Sequence, residues 1–316
     1  MRQIPNTFRK HSLLPGLVFL LAIVFATFAM FKAYSFDDYH QLDSIYVLRL
    51  KNAWRIGLSV CTLVATLLLF YNALKKSQVL EVSLHQLAFI FSMFMAYEPY
   101  ILLNVEVVFT FLFNVLSLIV LLQIHNQAEI SSFLFKSALF AGIATLIYLP
   151  NGAMVILLFC GAIILRPLSI RNTLNLLIGF VLPLIYYFGV AYLFDLNPNF
   201  IHNDLLSRNS INFMTIGVVL SDSTTVGLLV LSFIGAISAH IKRANLVVNQ
   251  RNQLTIIFLS WAIFSFLFFF KHPIFIIPTG LISSAFIAGL YKASRLKFLM
   301  EILLIATYSI LLFDLL

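Results

Sequence analysis

The chain has 316 residues, 61% of them hydrophobic and 10% charged, with a mean hydropathy of +1.01 and a formal net charge of +8. A soluble domain carries about 25% charged residues, so this composition excludes a soluble globular protein and specifies a polytopic membrane protein. In such a chain the basic excess reports orientation and headgroup contact, and no nucleic-acid partner is expected.

A spanning helix takes about 20 apolar residues. Apolar runs occur near 13–33, 54–73, 82–97, 101–123, 133–149, 152–165, 173–194, 226–241, 254–270, 273–290 and 298–315. They predict an all-α transmembrane bundle of about eleven spans in a single domain covering 1–316, with 152–165 the shortest run. No small-residue cleavage pattern follows the first run, which is expected to stay as a span. Cys61 and Cys160 both sit in apolar runs, so neither a disulfide nor a zinc framework is readable.

The first ten residues carry Arg2, Arg9 and Lys10 and no acid, which places the N-terminus in the cytoplasm. Alternating from there, fourteen of the twenty Lys and Arg residues fall inside; the exceptions are Lys32, Arg49, Lys51, Arg55, Arg208 and Lys271. The acids run the other way. Asp37, Asp38, Asp43, Glu98, Asp195, Asp204 and Asp222 land on the outer face, while Glu81 and Glu129 stay inside. Acids contribute little to topology, so this asymmetry points to acidic chemistry, or acidic solvation, on the outer face.

The outer connection 34–53 follows the first span and holds Asp37, Asp38, His40 and Asp43 within seven residues. Ionisable groups at the mouth of a span mark a functional site by default; a solvated loop is the bland alternative. In it Tyr39, Leu42, Ile45, Tyr46, Leu50 and Trp54 recur at helical spacing, which predicts an amphipathic helix in the membrane interface. Capping of that helix accounts for one of the two aspartates ahead of it. The second long outer connection, 195–225, is polar at both ends and less polar between Ile211 and Leu220. Pro150, Pro183 and Pro278 are each expected to kink a span. Within the spans Glu106 is the carboxylate that calls for a partner: it is either protonated or paired with a polar group such as Asn104 or Asn114.

Four features taken together resemble the GT-C class of polytopic glycosyltransferases. They are Phe36-Asp37-Asp38 after the first span, Glu98-Pro99 leading to Glu106, the Gly-containing run Ser137 to Pro150, and Lys271-His272-Pro273 through Gly280. The middle of the chain, roughly Asn72 to Asp195, also resembles an uncharacterised family of Bacteroidetes integral membrane proteins. The first resemblance implies transfer of a sugar from a polyprenyl-phosphate carrier to an envelope acceptor, outside a bacterial cytoplasmic membrane. Its partners would be membrane lipid and the lipid-linked sugar.

An inverting transfer needs a carboxylate to take the acceptor's proton, and the resemblance gives that role to Asp37 or Asp38. The leaving lipid phosphate needs cations, and Lys271, His272 and Arg208 are the outer-face candidates. Two of them have a plainer role: Lys271 can snorkel to headgroups, and His272 can be an ordinary loop residue. Glu98 and Glu106 complete the acidic set. A divalent cation, magnesium or manganese, suits such carboxylates, although the class includes enzymes that use no metal. The competing functions are a non-catalytic subunit of an envelope assembly and a transporter or flippase for a lipid-linked or amphipathic substrate. Transport would need ionisable groups near the midplane, whereas seven acids lie outside and only Glu106 and Glu301 fall clearly within spans.

Overall fold

A computed structural model describes residues 52–97, 105–124, 130–165, 169–195, 223–270 and 275–293. The runs near 13–33 and 298–315, and nearly all of the two long connections including the expected interfacial helix, lie outside the described residues. All regular structure among the described residues is helical. Lipid offers backbone amides no partner, so each spanning segment must satisfy its own, and the apolar runs coil for that reason.

The helices are α1 (Asn52–Ser77), α2 (Leu84–Tyr97), α3 (Val105–Gln123), α4 (Ile130–Ile147), α5 (Met154–Leu165), α6 (Ile170–Leu193), α7 (Ser223–Ile241), α8 (Val248–Phe270) and α9 (Ile276–Ala293). Each coincides with one of the expected runs. Six stretches are long and apolar enough to cross a membrane, in α1, α3, α4, α6, α7 and α8; Leu84–Met95, Leu149–Leu165 and Ile276–Leu290 are apolar but shorter. The protein is therefore an all-α, multi-pass integral membrane protein. At 12 residues α5 is about 18 Å long, well short of the ~30 Å hydrocarbon core.

The prolines act differently from the expected common kink. Pro150 ends α4 and opens a 3-10 turn (Leu149–Ala153) before α5, because it lacks an N–H and crowds the preceding turn. Pro278 sits in the first turn of α9, where a missing N–H costs nothing. Only Pro183 lies inside a long helix, α6.

Helix α9 is the axis of its half of the bundle. Ile277, Ser283, Ser284, Ala285, Phe286, Ile287 and Ala288 are all fully buried. It is enclosed by α2, α7 and α8. Apolar burial drives little association where lipid tails are equally apolar, so close packing and hydrogen bonds must serve. Trp261 Nε1 of α8 donates to Ser283 Oγ at 2.9 Å, and its ring meets Phe286 edge-on. At Gly280 an added Cβ would sit 2.6 Å from Phe94 Cβ of α2, and at Gly235 of α7 it would sit 2.6 Å from the Phe286 carbonyl oxygen.

In the other half, α4 packs on α3 and, in parallel, on α6. Here the backbones approach until glycine is required: Gly142 abuts the Phe180 carbonyl oxygen, and an added Cβ at Gly179 would lie 2.5 Å from that of Phe135. Beyond this seam α6 is peripheral. Only 17% of its span is buried, against 61% for α3, leaving Ile178, Val181, Ile185 and Val190 facing outward as lipid-contacting side chains.

The contacts fix the direction of each helix. Ser117 of α3 meets Ser137 of α4, while Leu80 near the start of α2 meets Gly289 late in α9 and Phe94 meets Gly280 early in it. One end of the bundle consequently collects Lys75, Lys76, Lys242, Arg243 and Arg251, and α6 starts there with Arg171. Lys136 of α4 is exposed within a span, with its ammonium 5.5 Å from the Phe133 ring centroid, as a snorkelling lysine would be.

Candidate functional site

Of the residues singled out by sequence, Glu106 is placed by the structure; Asp37, Asp38, Glu98, Arg208, Lys271 and His272 lie outside the described residues. Glu106 is the second residue of α3, partly buried, at the end of the bundle opposite the basic cluster. A carboxylate is favoured there by the unsatisfied amides of the first turn.

A polar stripe runs inward from Glu106. Thr110, Asn114 and Ser117 follow at helical spacings of four, four and three, and all three are buried. Thr110 Oγ1 donates to the Glu106 carbonyl at 2.8 Å. Ser117 and Ser137 exchange bonds across the α3–α4 seam: Ser117 Oγ donates to the Ser137 carbonyl at 2.8 Å, and Ser137 Oγ to the Ser117 carbonyl at 2.7 Å. Small hydroxyl residues let the two backbones approach while leaving no donor unpaired.

The least expected member is Asn151, buried in the 3-10 turn after α4. Asn114 Nδ2 donates to its Oδ1 at 2.6 Å. Its own Nδ2 and its backbone N–H both donate to the Tyr148 carbonyl, at 3.0 and 3.1 Å. Among the described residues none donates to Asn114 Oδ1. Phe275, fully buried just ahead of α9, packs beside this group, with ring centroids 6.1 Å from Tyr148 and 6.3 Å from Phe111. The sequence offered Asn114 as a partner for Glu106. The structure gives Asn114 to Asn151 instead, since eight helical residues separate the two by about 12 Å. The signal that would have located Asn151 is Pro150-Asn-Gly152, a turn sequence set between two apolar runs.

Chemically the stripe can orient and hold hydroxyl or amide groups. It contains no acid or base except Glu106 at its mouth. Among the described residues no three of His, Cys, Asp and Glu come together as metal ligands; of the carboxylates suited to magnesium or manganese, Glu106 is the one described. Breaking the amide pair tests the stripe's structural worth. Replacing Asn114 and Asn151 by Ala, singly and together, is expected to give a coupling of about 0.6–1.7 kcal/mol, the range of interhelical hydrogen bonds in membranes. Thermal unfolding of the four proteins in detergent would measure it.

Two clefts open at the basic end. One of ≈ 260 Å³ is bordered by Lys76, Gln123 and Gln253, where Gln253 Nε2 donates to the Leu122 carbonyl near the end of α3. The other, of ≈ 480 Å³, lies between the α1–α2 turn and the end of α7. Neither includes Glu106 or Asn114. Comparison with family models, curated proteins and solved structures finds no match to this chain.

Proposed function

We propose that the protein is a GT-C-like integral membrane glycosyltransferase that moves a sugar from a polyprenyl-phosphate carrier to an envelope acceptor. The observation that carries this reading is the polarity of the bundle. Lys75, Lys76, Lys242, Arg243 and Arg251 gather at one end, outnumbering Glu81 there, and Glu106 stands at the other, above a buried polar stripe. With the basic end in the cytoplasm, the N-terminus is cytoplasmic and Glu106 faces the outer side of a bacterial cytoplasmic membrane.

On this reading Asp37 or Asp38 takes the proton from the acceptor hydroxyl as its oxygen attacks the anomeric carbon. The bond from that carbon to the phosphate oxygen breaks, and the polyprenyl phosphate leaves with the bond's electrons. Lys271, Arg208 and His272 stabilise the charge developing on the phosphate. Glu98 and Glu106 border the site, and together with the aspartates could bind magnesium or manganese. The buried polar side chains among the described residues are Ser, Thr, Asn and Gln. With no ionisable group among them, they support chemistry at one end over passage through the middle.

The test is transfer itself. The purified full-length protein, reconstituted with a radiolabelled polyprenyl-phosphate sugar and an envelope-lipid fraction as acceptor, should release polyprenyl phosphate and label the acceptor. If no label moves, with and without added magnesium or manganese, the accessory-subunit reading takes its place.

A further inference from the structure

The smaller cleft at the basic end, of ≈ 260 Å³, lies where the last turns of α1 and α3 meet the opening turns of α8. Its polar wall is made by Lys76, Gln123 and Gln253, and no carboxylate lines it. The larger cleft differs in this respect: Glu81 stands on its rim, already engaged by an interaction of its own.

The polar wall has local causes. Gln78 adopts φ 52 and donates its N–H to the Leu74 carbonyl, which ends α1 and leaves Lys76 exposed in its last turn. The last carbonyls of a helix have no partner within it, and Gln253 Nε2 answers one of them by donating to the Leu122 carbonyl at 2.9 Å. That bond uses one of the two N–H groups of a buried carboxamide. Gln123, the last residue of α3, is exposed beside it.

The cleft also continues into the bilayer. On α1, Lys76 and Ala73 share a stripe with Leu69 and Ala65, at spacings of three and four. Leu69 and Ala65 are exposed, so a lipid-facing strip leads from the cleft toward the middle of the span. It starts at an ammonium among the basic residues, the level at which lipid headgroups meet a membrane protein.

We infer that this cleft binds the headgroup of an anionic phospholipid, of the phosphatidylglycerol type. Lys76 pairs with the phosphate oxygens, and Gln123 and the second N–H of Gln253 donate to the same group. An acyl chain follows Leu69 and Ala65 along α1. The volume, below the roughly 300–1,000 Å³ of small-molecule sites, takes a headgroup and leaves the chains in the bilayer. The ammonium of an ethanolamine or choline headgroup finds no carboxylate in the cleft wall and is repelled by Lys76. The site is independent of the proposed transferase centre, being at the other end of the bundle.

The experiment is native mass spectrometry of the full-length protein in detergent. It would be equilibrated with equal amounts of phosphatidylglycerol, phosphatidylethanolamine and phosphatidylcholine of matched acyl chains. Phosphatidylglycerol should be retained about tenfold over each of the others, the scale of one charge-assisted hydrogen bond. Lys76→Gln should lower its retention about tenfold. Lys75→Gln removes the same charge from a neighbour that does not line the cleft, and should lower retention no more than about twofold, since exposed charges off the site are screened. Gln123→Glu places a carboxylate at an exposed position and should erase the preference, which keeps the test decisive if a lysine variant fails to fold. Inorganic phosphate in molar excess should not displace the lipid, because it has no chain to lay along α1. Equal retention of the three lipids, no retention at all, equal losses from Lys75→Gln and Lys76→Gln, a preference unmoved by Gln123→Glu, or displacement by phosphate would each overturn the site.

Discussion

Exchanging both Asp37 and Asp38 for Asn is expected to lower sugar transfer by about 10²- to 10⁴-fold, the range over which a general base acts. In activation terms that is roughly 3–5 kcal/mol. Asn keeps the size and the hydrogen-bonding carbonyl of Asp but cannot take the acceptor's proton, so the loss reports the base and not packing. One proton needs one base, so one of the two single variants should reproduce the double while the other stays near wild type. Asp43→Asn should leave transfer unchanged, because solvation of the loop does not depend on one carboxylate. Lys271→Gln should also slow transfer, by removing a cation from the departing phosphate. Initial rates of polyprenyl phosphate release would separate these outcomes. A double variant that kept more than a tenth of the wild-type rate would place the base elsewhere.

The largest effect on stability should come from the α4–α6 seam. Gly142→Ala and Gly179→Ala each drive a methyl group into the backbone of the facing helix, at the Phe180 and Phe135 carbonyls. A carbonyl in a helix cannot swing aside as a side chain can, so the helices must separate, at about 1–3 kcal/mol for each change. Leu at either position should exceed that range. Gly189 lies ten residues further along the same helix, with nothing within 4 Å of its added Cβ. Gly189→Ala should therefore stabilise the protein, by about 0.5–1 kcal/mol through helix propensity. Opposite signs for one substitution on one helix would be read from thermal unfolding in a fixed detergent. Equal shifts for Gly179→Ala and Gly189→Ala would mean that the seam is not packed as described.

How much of this was legible in the sequence differs by level. The nine described helices could be located because the hydrocarbon core imposes one length and one polarity on whatever crosses it, and the runs of Leu, Ile and Phe record that directly. The charge segregation was readable for the same reason. Which helices are long enough to cross was less so: α2 and α5 come out short, at 14 and 12 residues. The seams were not legible. Gly142, Gly179, Gly235 and Gly280 are unremarkable in composition, and only the position of the facing backbone makes them obligatory. The partner of Asn114 was likewise hidden, since Asn151 reaches it through a turn and not along a helix. The outer-face set of Asp37, Asp38, Arg208, Lys271 and His272 rests on the resemblance, with Glu106 the point at which it touches the described fold.

All of the catalytic assignments require that the Glu106 end and the connection carrying Asp37 and Asp38 lie outside the cytoplasm. Fusions of a reporter that is active only in the cytoplasm, made after Asp43, Lys76, Asp204 and Arg243, measure this directly. Activity is expected at Lys76 and Arg243 and none at Asp43 and Asp204. A cytoplasmic signal at Asp43 would contradict the account, because the proposed base would then face the side of the membrane opposite the acceptor.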